Sequence, residues 1–224
     1  MIHNSLWNLL KYKRSLPKKN PNFFLFANCK DIIFDNYLKD NKSFNEDSIV
    51  VLFNTAQPLR QSEIIAKHPK KWIFFRYLAD HSAYGTYFRD LNLLSEFFFE
   101  KYFFIPDFFD TKYRRRLLVN NFFIPTIDYL ISKNIDLSNL NHFSIFDPDE
   151  LKIVKLHYEK GKTPSTGFWV YLYLKNLYPN SDFTLVGYTS TINPKYHDPS
   201  FEKGYLLSDI NNNLCQSLGC FITS

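Results

Sequence analysis

A chain of 224 residues is long enough for one domain with a sizeable core and too short for two ordinary catalytic domains. Its net charge of +5 is mild, and its basic residues are dispersed apart from a cluster near the N-terminus and the run Arg114–Arg116. A nucleic-acid-binding protein would show a denser basic face, so the sequence disfavours that class. We therefore expect a single domain over residues 1–224, with residues 1–21 as a basic entry segment.

The cysteines and the N-terminal residues indicate the compartment. Three cysteines cannot all pair within one chain, and none has the spacing of a zinc site. These are Cys29, Cys215 and Cys220. The apolar run Leu6–Leu10 is soon interrupted by Lys11 and Lys13, so it is too short for a signal or membrane-spanning segment. These features predict reduced thiols and a cytoplasmic protein.

Apolar runs and helical periodicity predict alternating strands and helices along the chain. Strands are expected at 22–27, 49–53, 72–77, 142–146 and 183–187. Helices are expected at 89–103, 115–133, 149–159, 167–178 and 202–213. This alternation is typical of an α/β layered fold, and short, continuously apolar strands favour a mostly parallel sheet covered on both faces.

Polar residues follow three of the predicted strands. Asn28, Asn54 and the turn Gly187-Tyr188 all fall at carboxyl ends, where parallel sheets bind their ligands. An asparagine amide can donate to a phosphate or ribose and accept from a cytosine. The pattern predicts a nucleotide site, and turn asparagines that merely close strands are the alternative.

The sequence Thr163-Pro164-Ser165-Thr166-Gly167 precedes the apolar run 168–177 and predicts a helix start. Ser165 or Thr166 can cap that helix, and the unpaired N–H groups of its first turn favour a carboxylate or phosphate. The alternative is an N-cap with a glycine that allows close packing.

Thirty residues past Gly167 lies His197, with Glu202 five positions further on. Imidazole titrates near neutrality, so His197 could remove a proton from an attacking hydroxyl. Glu202 could orient the ring or lie in the first turn of the next helix, where a carboxylate is favourable. An inert surface histidine is the alternative.

These segments resemble the motifs of the sialyltransferases. The Pro-Ser-Thr-Gly turn with its helix and strand is similar to the small sialyl motif, and His197 followed by Glu202 is similar to the very small motif. Residues 23–28 look like the strand that opens the large motif, and residues 49–58 look like the end of that motif. The resemblance covers roughly 23–58 and 156–206.

The resemblance implies a single Rossmann-like α/β domain of the GT-A-variant type. It implies metal-independent, inverting transfer of a 2-keto acid sugar, sialic acid or Kdo, from its CMP donor to a hydroxyl of a glycan or glycolipid acceptor. No cofactor is expected. The setting would be bacterial lipopolysaccharide or capsule synthesis, in the cytoplasm, with peripheral contact at the inner membrane left open.

The same resemblance assigns residues to this chemistry. His197 and Glu202 would be catalytic. The donor-binding residues would be Asn28, Asn54, Ser165, Thr166, Gly167, Tyr188 and Tyr196. A CMP-sugar hydrolase, a transferase with another donor, and a non-catalytic nucleotide- or carbohydrate-binding protein remain alternatives.

Weaker candidates lie elsewhere in the chain. Asp147 and Asp149 mimic a metal-binding pair, but the proline between them and the following Glu150 favour a helix start. His81 and Arg114–Arg116 could contact an anionic acceptor, although a solvated loop and a charged helix start are the simpler interpretations. The aromatic segment 97–109 is expected to be core, with a lid or an interfacial patch as alternatives.

Overall fold

The computed structural model of the chain describes residues 20–29, 32–77, 96–106, 143–145, 162, 164–188 and 197–219. These residues form a seven-stranded sheet in which every paired strand is parallel. The predicted α/β class with a parallel sheet is therefore confirmed. The predicted helices 115–133 and 149–159 lie outside the described residues, as do most of the basic entry segment and Cys220.

The strands alternate with helices along the chain. The strands are β1 (Phe23–Phe26), β2 (Ile49–Phe53), β3 (Lys71–Tyr77), β4 (Lys101–Pro106), β5 (Phe143–Ile145), β6 (Phe183–Val186) and β7 (Gln216–Leu218). The described helices are α1 (Asp35–Leu38), α2 (Pro58–Gln61), α3 (Glu63–Lys67), α4 (Thr166–Leu177) and α5 (Pro199–Asn211).

The strand order is β5-β4-β3-β2-β1-β6-β7. The chain therefore builds the sheet outward from β1 in one direction as far as β5, and then returns to the other side of β1 with β6. A change of direction of this kind separates the loops that leave the two neighbouring strands and opens a crevice at their carboxyl ends. In this protein the change of direction falls between β1 and β6.

The two faces of β1 are covered by different parts of the chain. Phe23 and Leu25 belong to the same buried cluster as seven consecutive residues of α4, Phe168–Leu174. On the other face, Phe24 packs edge-on against Phe44, with ring centroids 4.9 Å apart. Because β1 is buried on both faces, all four of its residues are apolar, as expected for a central parallel strand.

The structure confirms the predicted strands at 22–27, 49–53, 72–77, 142–146 and 183–187, and the helices at 167–178 and 202–213, within a few residues at each end. The helix predicted at 89–103 is wrong at its end, because β4 begins at Lys101. In the aromatic segment, Phe99 and Phe103 are buried while Phe98 is 69% exposed, so the expected core role holds for the first two. The short helices α1, α2 and α3 and the strand β7 were not predicted.

No helix in the described part of the chain combines the length and apolar character needed to cross a membrane.

Candidate functional site

The candidate site lies where the carboxyl ends of β1, β2 and β6 meet the first turn of α4. Asn28 lies two residues past β1, Asn54 directly follows β2, and Tyr188 lies two residues past β6. The three strands are neighbours in the sheet, so these residues share one edge. The predicted convergence of polar strand-end residues is therefore present in the structure.

The first turn of α4 is capped by Ser165. Its hydroxyl accepts a hydrogen bond from the Phe168 N–H at 3.3 Å, and its carbonyl accepts from the Trp169 N–H at 2.9 Å. This arrangement is the N-cap expected from the sequence, and it satisfies one of the donors that a helix start leaves without an intrahelical partner. The backbone N–H groups of Thr166 and Gly167 belong to the same turn and take no part in these two bonds.

Gly167 permits the close approach of Tyr188. A Cβ atom at position 167 would lie 2.8 Å from the Tyr188 hydroxyl oxygen and 3.1 Å from two carbons of its ring. Both distances are shorter than ordinary van der Waals contact. Close packing, the alternative considered for this glycine, is thus a sufficient structural reason for its presence, and it places the tyrosine hydroxyl directly against the helix start.

Tyr188 is buried and remains a phenol at neutral pH. Burial raises the pKa of its hydroxyl well above the usual value, and the negative charge of Glu202 raises it further. Its ring packs edge-on against Phe53, the last residue of β2, with centroids 6.5 Å apart. A protonated hydroxyl at this point can donate a hydrogen bond to an anion but cannot act as a base.

Glu202 is 1% exposed, and its carboxylate binds the N-cap of α4. The Ser165 N–H donates to Oε1 at 2.7 Å, and the Ser165 hydroxyl donates to Oε2 at 2.6 Å. The two residues are separated by 37 positions in the sequence. The carboxylate thus joins the first turn of α5 to the start of α4, a contact with the preceding helix that was not anticipated. This contact gives Glu202 a structural role at the start of α4.

His197 lies at the start of α5 and is half-buried. It immediately precedes Asp198, the N-cap residue, whose Oδ1 accepts from the Phe201 N–H at 3.1 Å. Pro199 occupies the first helical position, where its missing N–H costs nothing. Because Glu202 ties the same turn to Ser165, His197 is held at the end of α5 that meets α4.

A second contact fixes α5 against α4 at a distance from the site. Asp209, which is 6% exposed, accepts from the Tyr171 hydroxyl at 2.6 Å and from the Lys175 ammonium group at 2.7 Å. With two points of attachment, α5 can neither rotate about its axis nor slide along α4 without breaking a buried polar contact. The orientation of the His197 turn is thereby fixed.

The two asparagines occupy different positions in the site. The Nδ2 group of Asn54 donates to the hydroxyl of Thr166 at 3.3 Å and so reaches the first residue of α4. Asn28 is exposed, and its amide contacts the backbone of the segment that follows β2: Nδ2 donates to the Phe53 carbonyl at 2.9 Å, and Oδ1 accepts from the Gln57 N–H at 3.1 Å.

The structure thus joins most of the predicted site residues through contacts. These are Asn28, Asn54, Ser165, Thr166, Gly167, Tyr188 and Glu202, with His197 in the adjoining turn. The other candidates lie outside the described residues: Tyr196, His81, Arg114–Arg116, Asp147 and Asp149. The sequence did not predict the Gln57 N–H and the Phe53 carbonyl as partners of Asn28, because a hydrogen bond to a backbone group does not depend on the residue type.

Two further features concern metal binding and thiol reactivity. Within the described part of the chain, no group of three or more histidine, cysteine or acidic side chains is placed to hold a metal ion. Cys29 and Cys215 are free thiols, and burial raises the pKa of the Cys215 thiol. A buried thiol of raised pKa is a weak nucleophile at neutral pH, so Cys215 is a structural residue.

The chain matches no protein-family model, and neither the curated proteins nor the solved structures contain a match to it. The geometry of the site and the motif resemblance are therefore what bears on its function.

Proposed function

We propose that this protein is a metal-independent, inverting glycosyltransferase that moves a 2-keto acid sugar from its CMP donor to a glycan hydroxyl. The observation that carries the proposal is the convergence of Asn54, Tyr188 and the first turn of α4 at the carboxyl edge of the sheet, beside the turn that holds His197. The sialyl-motif resemblance of the same segments supplies the reaction class.

The donor chemistry suits this set of groups. A CMP-linked sialic acid or Kdo has a carboxylate on the anomeric carbon beside the phosphate, so a buried site must provide hydrogen-bond donors for two anions. The N–H groups of Thr166 and Gly167, the Thr166 hydroxyl, the Asn54 amide and the Tyr188 hydroxyl provide such donors. Backbone N–H groups at a helix start also place the positive end of the helix dipole at the anion, which contributes about 0.3–1 kcal/mol per contact.

Transfer would occur by one displacement at the anomeric carbon. The acceptor oxygen forms a bond to that carbon as the bond to the CMP phosphate oxygen breaks, and CMP leaves with the bonding electrons. His197 takes the proton of the acceptor hydroxyl as the new bond forms, which contributes roughly 10²–10⁴-fold in rate. Glu202 acts through Ser165 by holding the start of α4 and the His197 turn together.

The first test is calorimetric titration with CMP, CDP and UDP. We expect a preference for CMP, because the proposed donor is a CMP-sugar whose single phosphate is assigned to the first turn of α4. Equal affinity for the three nucleotides would remove the CMP-sugar assignment. CMP binding without any turnover would favour the non-catalytic alternative.

The second test is a transfer assay with CMP-sialic acid and CMP-Kdo and a panel of glycan acceptors, with products detected by mass. His197→Ala should lower turnover by about 10²-fold or more and leave CMP affinity within a small factor, since the ring is assigned to the acceptor. Ser200→Ala, an exposed position in the same helical turn, is the matched control. Normal turnover of a folded His197→Ala variant would show that the histidine is not the base, and release of free sugar without acceptor would favour the hydrolase alternative.

The cellular setting belongs to the same proposal. We place the protein in bacterial lipopolysaccharide or capsule synthesis, in the cytoplasm, with its acceptor at the inner membrane. Products formed only on lipopolysaccharide or capsule fragments would support this setting.

A further inference from the structure

The backbone that follows β2 adopts an unfavourable conformation. Asn54 and Ala56 both have positive φ angles, of 46° and 44°. Asparagine tolerates this left-handed region, but alanine rarely adopts it, because its Cβ approaches the following carbonyl oxygen. Two such residues within three positions make residues 54–57, which we call the β2–α2 loop, a segment whose conformation must be imposed by its surroundings.

Asn28 supplies contacts at both ends of this loop. Its Nδ2 group donates to the carbonyl of Phe53, immediately before the loop, and its Oδ1 accepts from the N–H of Gln57, the last residue of the loop. The Phe53 carbonyl also accepts from the Ala56 N–H at 2.8 Å. One side-chain amide therefore spans the loop: it adds a second donor to the Phe53 carbonyl and gives the Gln57 N–H its acceptor.

The loop conformation aims Asn54 at the helix start. The Asn54 N–H stays bonded to the Phe74 carbonyl of β3 at 2.9 Å, while its side chain turns to the Thr166 hydroxyl at 3.3 Å. A change in the loop would move this amide away from the first turn of α4. Asn28 is linked to Asn54 through the loop backbone, because it contacts Phe53, the residue before Asn54, and Gln57, the last residue of the loop.

We propose that Asn28 is a positioning residue for ligand binding, which acts by holding the β2–α2 loop so that Asn54 faces the start of α4. This inference rests on the proposed function and departs from the sequence-based assignment of Asn28 as a direct nucleotide contact. Its two polar atoms already serve the loop backbone, whereas the Asn54 amide reaches the helix turn where the donor anions would bind.

The ligand test is a double-mutant cycle measured by calorimetry with CMP. Asn28→Ala and Asn54→Ala should each weaken CMP binding by about five- to a hundredfold, the range for a polar group that loses its partner. The double variant should bind no more weakly than Asn54→Ala alone, because a residue that acts through Asn54 has no further effect once Asn54 is gone. Losses that multiply in the double variant would overturn the proposal in favour of a direct contact by Asn28.

A second measurement requires no ligand. Hydrogen exchange of the Gln57 amide, resolved by NMR, should become about tenfold faster in Asn28→Ala, because that amide loses its acceptor. Asn28→Asp should restore protection of Gln57, since it keeps an acceptor, but should not restore CMP affinity, since its second oxygen would face the Phe53 carbonyl. Unchanged Gln57 exchange in Asn28→Ala would overturn the proposal.

Asn176→Ala is the matched control for both measurements. Asn176 is an exposed asparagine ten residues along α4 from Thr166, about 15 Å at the helical rise per residue. It should leave CMP affinity and Gln57 exchange unchanged. A wild-type protein with no CMP affinity would overturn the proposed function, and the exchange measurement would then decide separately whether Asn28 holds the loop.

Discussion

The tautomer of His68 is determined by two backbone groups. Its Nδ1 accepts from the Lys70 N–H at 3.2 Å, and its Nε2 lies 3.0 Å from the Asn45 carbonyl, so the ring proton belongs on Nε2. The residue is 5% exposed. Burial lowers the pKa of His68, and the positive charges of Lys71 and Lys70 lower it further. The folded protein therefore holds this ring neutral.

We expect stability to fall as the pH drops below the ordinary histidine value of 6.5. In that range the unfolded chain binds a proton that the folded His68 does not, so the free energy of unfolding decreases with falling pH until the lowered pKa is passed. His68→Gln keeps a donor for Asn45 and cannot titrate. Urea midpoints at about pH 5.5 and about pH 7.5 should differ less in the variant than in the wild type, and equal differences would contradict the assignment.

At the residue scale, local contacts could be predicted and distant ones could not. The cap at Ser165 follows from its position before an apolar helical run, since capping depends only on neighbours in the chain. Its carboxylate partner Glu202 is 37 residues away, and no local pattern specifies it. The same limit applies to Gly167. A side chain is excluded there because Tyr188, which is distant in the sequence, packs against the helix start.

At the scale of elements, α4 and α5 act as one unit because buried polar contacts join them at both Ser165–Glu202 and Asp209. Lys175 contributes a charge to the second contact, and its ammonium nitrogen also lies 5.8 Å from the ring centroid of Tyr171 and 5.5 Å from that of Tyr205. Removal of one partner from such a contact leaves the other buried without its hydrogen bond. The resulting loss of unfolding free energy exceeds the net stabilisation that the intact pair provides.

We therefore predict strong coupling between Ser165 and Glu202. Ser165→Ala should cost about 1–3 kcal/mol of unfolding free energy through loss of the cap and of one carboxylate partner. Glu202→Ala should cost about the same or more, and the double variant should cost less than the sum by at least about 1 kcal/mol. Chemical denaturation of the wild type, the two single variants and the double variant measures these free energies. Ser200→Ala, at an exposed position, is the control and should leave the unfolding free energy nearly unchanged. Additive losses would show that the two residues stabilise the fold independently.

The error at β4 has a physical origin. The run Lys101–Pro106 is apolar after its first residue and lacks the alternation that marks a half-buried strand, so by periodicity it fits a buried helix equally well. The strands β1 and β2 are entirely apolar, and β6 contains one threonine. Their short length and polar flanking residues nevertheless identified all three as strands. Strand β7 spans only three residues at the sheet edge, with an exposed glutamine first, and offers no apolar run to recognise.

At the scale of the whole molecule, the sequence predicted a parallel α/β sheet correctly, but it could not predict strand order. Order depends on which side of the sheet each crossover returns to, and periodicity within a strand carries no such information. The position of the change of direction between β1 and β6, and with it the grouping of the site residues, therefore required the structure.

The proposed reaction predicts activity that survives EDTA. The donor anions are assigned to backbone N–H groups, hydroxyls and an amide, so their stabilisation should not depend on a divalent ion. Transfer from the CMP-sugar is measured with and without the chelator. Complete loss of activity, followed by rescue with magnesium or manganese, would contradict this prediction and direct attention to Asp147 and Asp149.

The central place of β1 also determines when the molecule can assemble. Phe23 pairs with Ile49 on one side and with Phe183, 160 residues later, on the other. The entropy of closing so long a chain must be lost before that second ladder forms, and a high contact order of this kind slows folding. On the ribosome, β1 would keep one edge unpaired until most of the chain is synthesised. An apolar strand with an unpaired edge is prone to aggregate, so β1 is a segment that a chaperone would protect during synthesis.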